Sequence, residues 1–142
     1  MINYWLCNTT INNWNVCCRN KVWGVDNSST GKKQVYGGEQ LKRTNIGDIL
    51  IFNVIKEGVC GWFRVASQIY ESKEELWVDA LYSLRVKIEP LKLLSGDGVI
   101  KFKEINGKLR NKETGKKITG NSLLGSSMIP IFEEEAKSEI IR

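Results

Sequence analysis

One tryptophan stands where its ring could serve as a binding surface. Trp23 lies in "NKVWGV" and is followed by Gly24 and by the polar run "DNSSTGKKQVYGG" at 26–38. Gly24 has no side chain to cover the ring, and polar loops contribute little to a core. We therefore expect one face of Trp23 to line an open pocket on which a flat ligand can stack, with the loop at 26–38 as a lid. Burial of the ring in the core is the alternative.

A basic strip is the second feature that could do chemistry. Residues 101–117, "KFKEINGKLRNKETGKK", hold seven Lys or Arg residues against two Glu residues, and the whole chain has a formal net charge of +5. Such a local excess of positive charge favours contacts with phosphates. We expect these contacts from Lys101, Lys103, Lys108 and Arg110. A solvated hairpin rich in lysine is the alternative.

The residue types that most enzymes use are absent or isolated. The chain contains no histidine, the commonest general base and a frequent metal ligand. Cys7, Cys17, Cys18 and Cys60 form no CxxC pair and no metal-ligand pattern, so we expect buried, reduced thiols. A Cys7 nucleophile beside Asn8 is conceivable, but no histidine could activate it. The sequence therefore predicts no catalytic residues, no metal site and no cofactor.

Length and composition indicate one globular domain that spans residues 1–142. Hydrophobic residues make up 42% and charged residues 26% of the chain, as in ordinary soluble proteins. No apolar run approaches the roughly 20 residues of a membrane helix. The N-terminus "MINYWLC" has neither a basic start nor a cleavage site of small residues. We expect a cytoplasmic protein that does not bind membranes.

The elements that must position these residues are mostly strands. Apolar, aromatic or alternating stretches predict strands at 2–7, 21–25, 49–55, 59–67, 85–91 and 99–105. Ile11, Trp14 and Cys18 fall on one helical face that Thr9 or Thr10 can cap, which predicts a helix at 9–20. A second helix is predicted near the acidic C-terminus. The fold class is therefore α+β, with a curled, mixed sheet of about five to seven strands.

The order of several stretches resembles that of the EVE domain, a PUA-like fold that is similar to the YTH domain. The stretches are "YWLCNTTINNW", "VWGV", "GDILIFNV…GWFRVAS", "YSLRVKIEPL" and "LLGSSMIPI". The resemblance runs from about residue 2 to residue 135. It implies a PUA-like curled β-sheet or β-barrel with a few short flanking helices. It also implies a reader of modified bases that binds nucleic acid, as a single strand or with the base flipped out.

The resemblance assigns one wall of a base pocket and its polar floor. In the YTH pattern, a tryptophan after the first helix forms one wall of an aromatic cage, and "VWGV" places Trp23 there. Polar groups between the first strand and the helix face the edge of the base, and Asn8 and Thr9 match that stretch. Asn13 matches a further polar position inside the helix. A helix cap or a backbone contact is the alternative role for Asn8.

The opposite wall is expected from the loop after the second strand of the hairpin. Trp77 is the best match there, with Tyr70 and Tyr82 as rivals. EVE relatives often carry a proline just after the "WGV" element, where this chain has Asp26, so the rim of the cage can differ.

The chemistry of these residue types suits a reader. A base that stacks on an aromatic ring gains about 1–3 kcal/mol, and an asparagine amide offers a donor and an acceptor side by side to a base edge. A methyl group on the base adds apolar area, at roughly 25 cal/mol per Å² buried. A protein-interaction module that uses the basic strip or the acidic helix is the alternative, and a cysteine enzyme is a more distant one. The base, its modification, DNA against RNA and the oligomeric state stay open.

Overall fold

The elements of the fold follow each other in the order strand, helix, strand, and then mostly strands. A computed structural model describes residues 1–26, 38–123 and 127–141. The strands are β1 Tyr4–Thr9, β2 Val22–Val25, β3 Ile49–Val54, β4 Gly58–Val65, β5 Tyr70–Glu71, β6 Leu84–Leu93 and β7 Met128–Ile131. The helices are α1 Ile11–Asn20, α2 at 38–42, α3 Phe102–Ile105, α4 Gly120–Leu123 and α5 Glu133–Glu139, with a 3₁₀ turn at Gly96–Gly98.

The strands form a mixed, curled sheet, which confirms the predicted fold class. Their order is β2-β6-β4-β3-β1-β7, and β5 pairs with β6. β1 and β3 run parallel, while the other pairs are antiparallel. Because parallel strands end at the same edge, Thr9 and Val54 lie side by side where both strands end. This edge carries the candidate site.

Both faces of the central strands are covered, which explains their nearly continuous apolar sequences. Along β1, Trp5 and Cys7 belong to one hydrophobic cluster, whereas Tyr4 and Leu6 belong to another. The first cluster includes residues of α1 and β2, and the second includes residues of α3 and α5. The aromatic residues of interest therefore lie on the α1 side of the sheet.

Helix α1 confirms the predicted first helix. Thr10 is its N-cap, and its Oγ1 accepts a hydrogen bond of 3.3 Å from the backbone N–H of Asn13. The helix ends at Lys21, which adopts a left-handed conformation with φ of 54°. The prediction that Ile11 belongs to the apolar face is wrong, since Ile11 is 43% exposed. Trp14 and Cys17, three residues apart, form the face that contacts the sheet.

The strand predicted at 99–105 is wrong, whereas the strand predicted at 85–91 lies within β6. Ile100 makes only an isolated bridge to Val59, and the chain then turns into α3. The Glu104 carboxylate accepts a 2.9 Å hydrogen bond from the backbone N–H of Lys101, which caps the helix. Phe102 and Ile105, three residues apart, both pack on the second cluster. In so short a stretch, the apolar positions fit a helical turn as well as a strand.

Candidate functional site

A cavity of about 380 Å³ opens at the edge of the sheet where β1 ends. Its size is within the range of ligand pockets, roughly 300–1,000 Å³. β1, the start of α1, β2 and the segment between β5 and β6 all contribute to it. It brings together six of the seven residues predicted for a base pocket: Asn8, Thr9, Asn13, Trp23, Trp77 and Tyr82. Their role in binding a ligand stays a prediction.

Trp23 lines this cavity, but the expectation of an open ring face is wrong. The residue is only 5% exposed, and its ring centroid lies 5.3 Å from that of Phe52 in an edge-on arrangement. Phe52 comes from the central strand β3, so the neighbour that covers the ring is far away in the sequence. The Trp23 Nε1–H is buried without a hydrogen-bond partner among the described residues. Residues 27–37 of the proposed lid at 26–38 lie outside the described residues.

Trp77 and Tyr82 together form the second aromatic side. Their ring centroids are 5.3 Å apart at an interplanar angle of 85°. Trp77 is 6% exposed and packs against the backbone of β2, where a Cβ on Gly24 would lie 2.8 Å from its Cη2. Gly24 therefore makes room for Trp77. Tyr70 is not among the described residues that line the cavity; it lies in β5, with Lys87 Nζ 5.9 Å from its ring centroid.

Arg85 holds the segment that carries both rings. It is 1% exposed, and its guanidinium donates to the backbone carbonyls of Glu74, Leu81 and Tyr82. The guanidinium carbon also lies 5.1 Å from the centroid of the Trp77 ring. In the alternating stretch at 85–91, Arg85 falls on the face opposite Val86 and Ile88, which predicts an exposed side chain, and this prediction is wrong. An arginine in an alternating strand gives no local sign that distant carbonyls will bury it.

Asp79 organises the polar side of the cavity, and the sequence reasoning missed it. The Tyr82 hydroxyl donates to Asp79 Oδ2 at 2.6 Å, and Asn13 Nδ2 donates to the same oxygen at 3.2 Å. Burial, followed by the hydrogen bond to Asp79 and its charge, raises the pKa of Tyr82. The phenol therefore stays protonated at neutral pH. The position of Asp79, two residues after Trp77, was the only signal in the sequence.

The floor of the cavity rests on a pair of asparagines. Asn53 Nδ2 donates to Asn8 Oδ1 at 2.9 Å, and Asn8 Nδ2 donates to the carbonyl of Leu123 at 3.3 Å. Each Asn8 amide atom thus has one partner, although an amide can make further hydrogen bonds. Asn53 is 5% exposed, and its Oδ1 has no partner among the described residues. Its presence in the apolar run "ILIFNVI" was a signal that the sequence reasoning did not use.

The four residues predicted to contact phosphates are not among the described residues that line the cavity. Lys101, Lys103 and Lys108 are exposed. Arg110 is held at the protein surface, because its Nε donates to Glu135 Oε2 at 2.7 Å and its guanidinium carbon lies 4.6 Å from the Phe132 ring centroid. Its charge is already paired, so the phosphate role is least suited to Arg110.

The cysteines are not prepared for nucleophilic chemistry. Cys7, Cys17 and Cys60 are buried, and Cys18 is partly buried. Burial raises the pKa of the Cys7 thiol well above its ordinary value, and it raises the pKa of Cys17 to about 12. Burial, with a contribution from Cys60, raises the pKa of Cys18 to about 11. Thiolates, the reactive forms, are therefore scarce at neutral pH.

The described parts of the chain contain neither a metal-ligand cluster nor a membrane-spanning helix. No group of three or more His, Cys, Asp or Glu residues there could hold a metal ion. None of the helices described combines the length and the apolar character that a membrane span requires.

Comparison with known proteins identifies the family. No protein-family model matches the chain. It is 32% identical over 149 residues to a UPF0310 protein of Pyrococcus abyssi, and the match covers 96% of each chain. The chain belongs to the UPF0310 family. A UPF0310 protein of Pyrococcus horikoshii is 27% identical in an alignment of 151 positions that covers 96% of this chain and 95% of the relative.

Solved structures share the fold of this UPF0310 protein. The YTH domain of the Zygosaccharomyces rouxii MRB1 protein, in complex with N6-methyladenosine RNA, aligns with a TM-score of 0.67 and 16% identity, over 96% of this chain and 83% of that one. A hypothetical protein from Leishmania major aligns with a TM-score of 0.66 and 18% identity, over 97% and 92% of the two chains. Because these sequence identities are low, the likeness establishes the fold alone, which is YTH-like and PUA-like.

Proposed function

We propose that this UPF0310 protein is an EVE-type reader module, without enzymatic activity, that binds a modified base of a nucleic acid. The observation that carries the proposal is the cavity of about 380 Å³ that Trp23, Trp77 and Tyr82 line together with amide and hydroxyl groups. A base taken out of its stack needs this combination of ring surfaces and hydrogen-bonding groups. A methylated base is the favoured ligand, because its methyl group adds apolar area that the aromatic side chains of the cavity can bury.

Two further observations support a reader. The buried Trp23 Nε1–H has no partner among the described residues, so a ligand that accepts its hydrogen bond would relieve the cost of that orphan donor. The YTH domain of the MRB1 protein, which has the same fold, is in complex with N6-methyladenosine RNA. The raised pKa values of Cys7, Cys17 and Cys18 argue against a cysteine enzyme.

A binding screen tests the proposal. Short DNA and RNA oligonucleotides, and the free nucleosides, are compared with and without a methyl or hydroxymethyl group by isothermal titration calorimetry. We expect at least one modified ligand to bind more tightly than its unmodified counterpart. Equal affinities throughout, or no binding at physiological salt, would contradict the proposal and favour the protein-interaction module.

A matched pair of variants then locates the site. Tyr82 lines the cavity and Tyr70 is not among its described lining residues, although both are partly exposed tyrosines. Tyr82→Ala should weaken binding of the modified ligand about 5- to 150-fold, which corresponds to one stacking partner of roughly 1–3 kcal/mol. Tyr70→Ala should leave binding nearly unchanged. Trp23→Ala is less suitable, because a buried tryptophan typically contributes about 3–5 kcal/mol to stability. Equal effects of the two tyrosine variants would place the ligand elsewhere.

A further inference from the structure

A carboxylate lines the cavity of a protein whose formal net charge is +5. Asp79 supplies this carboxylate, and no Lys or Arg is among the described lining residues. A carboxylate can accept a hydrogen bond from an N–H group of a neutral base, but its hydrogen bond with a positively charged base is stronger because both partners are charged. The excess positive charge of the chain lies in the strip at 101–117. The strip therefore suits a negatively charged part of a ligand, and the cavity suits a positively charged part.

The Asp79 carboxylate is oriented by its neighbours. The hydrogen bonds from the Tyr82 hydroxyl and from Asn13 Nδ2 both end at Oδ2, at 2.6 and 3.2 Å. The second carboxylate oxygen, Oδ1, has no hydrogen-bond partner among the described residues, so it can accept a hydrogen bond from a ligand. Because these neighbours restrain the side chain before binding, little side-chain entropy is lost when a ligand arrives.

The aromatic groups add to the attraction for positive charge. The faces of Trp and Tyr rings carry negative potential, which attracts cations. Arg85 lies over the Trp77 ring but does not occupy the cavity, since it is 1% exposed and bound to the backbone carbonyls of the segment that carries Trp77. A neutral base would gain stacking and hydrogen bonds here, whereas a positively charged base would gain these and also Coulomb attraction to Asp79.

We infer that the ligand is a base on which methylation has fixed a positive charge in the ring, as in N1-methyladenine or N3-methylcytosine. The inference rests on the proposed function and names its ligand class. A carboxylate beside aromatic rings distinguishes such a cation from the unmodified base and also from isomers whose methyl group leaves the ring neutral.

Isomer pairs provide the test, because their members have the same number of methyl groups and differ in charge at neutral pH. N1-methyladenosine is compared with N6-methyladenosine, and N3-methylcytidine with 5-methylcytidine, each in a short oligonucleotide. We expect the cationic member of at least one pair to bind about 5- to 30-fold more tightly. This preference should decrease as the salt concentration rises.

Asp79→Asn, which keeps the shape and the acceptor oxygen, should reduce the preference to near unity while the affinity for the neutral isomer changes less. Asp97→Asn is the control, since Asp97 lies in the exposed 3₁₀ turn at Gly96–Gly98, and it should leave the preference unchanged. Thermal unfolding checks that both variants fold. If the neutral methylated isomers bind more tightly than the cations, or if Asp79→Asn weakens both members equally, the inference is wrong and the reader function stands. If no modified base binds, the reader function itself is wrong.

Discussion

At the scale of single residues, the tryptophans of the site are core residues and lining residues at once. Trp23 and Trp77 are only 5% and 6% exposed, yet both border the cavity. Each ring therefore has most of its surface in packing and a small part free for a ligand. This dual role means that a binding defect after truncation of either ring is hard to separate from unfolding. Substitutions beside the rings are cleaner tests.

Gly24→Ala tests the packing of Trp77 without removing an aromatic ring. The new methyl group would lie 2.8 Å from Trp77 Cη2, which is too close, so the indole must move. We expect stability to fall by about 1–3 kcal/mol and binding of the modified ligand to weaken about tenfold or more, in keeping with the roughly 1–3 kcal/mol of one stacking interaction. Chemical denaturation and titration calorimetry measure the two effects. Gly98→Ala is the control, because a Cβ at Gly98 meets nothing within 4 Å; similar effects of both changes would contradict this account.

At the scale of elements, the segment at 72–83 between β5 and β6 decides the shape of the cavity. It has no regular secondary structure, and one buried arginine connects three of its carbonyls to β6. Trp77, Asp79 and Tyr82 all lie on this segment. Its conformation therefore depends on the fork of the Arg85 guanidinium, which can reach several carbonyls at fixed angles.

Arg85→Lys tests this dependence, because lysine keeps the charge and lacks the planar fork. We expect a decrease of about 2–4 kcal/mol in the free energy of unfolding, since buried carbonyls are left without their donors. Backbone amides at 74–82 should exchange hydrogen faster, while those of β1 and β3 change less. Arg64→Lys is a control, as Arg64 forms an exposed ion pair with Glu89 at 2.6 Å. Uniform acceleration of exchange across the sheet would indicate a general decrease in stability instead.

At the scale of the whole molecule, charge is divided between two regions. The cavity at the end of β1 is lined by carboxylates, and exposed lysines lie on α3 and the turn after it. Under the proposed function, the cavity and the lysines would contact different parts of a nucleic acid, the base and the phosphates. This arrangement would separate affinity, which phosphate contacts supply, from the choice of base.

Replacing Lys101, Lys103 and Lys108 by Ala tests the phosphate contacts. Binding should weaken evenly across sequences, and the slope of log affinity against log salt should flatten by about 0.7–0.9 for each phosphate that a removed lysine had neutralised. The preference for a modified base should not change. An unaltered slope would mean that the strip is only a solvated surface. Arg110→Ala belongs outside this set, because Arg110 pairs with Glu135 and its removal would loosen α5.

The elements whose signals are local could be predicted from the sequence. The apolar runs of β1 and β3, the Thr10 cap of α1 and the alternation in β6 depend on residues within a few positions of each other. The order of these elements carries the resemblance to the EVE domain. That resemblance predicted the fold and most of the residues that meet at the cavity. The strand predicted at 99–105 failed because a short alternating stretch fits α3 equally well.

Which side chains are covered and which remain available to a ligand could not be predicted from local patterns, because it depends on contacts between distant parts of the chain. The Phe52 ring packs against Trp23, and the Arg85 guanidinium donates hydrogen bonds to carbonyls of the segment before β6. The Glu135 carboxylate pairs with Arg110. Most of these interactions join different elements that lie far apart in the sequence. Burial and charge pairing depend on such interactions, because the free energy of a side chain is set by its surroundings in space. For the same reason Asp79, whose only sign in the sequence is its position two residues after Trp77, became the central polar group of the site.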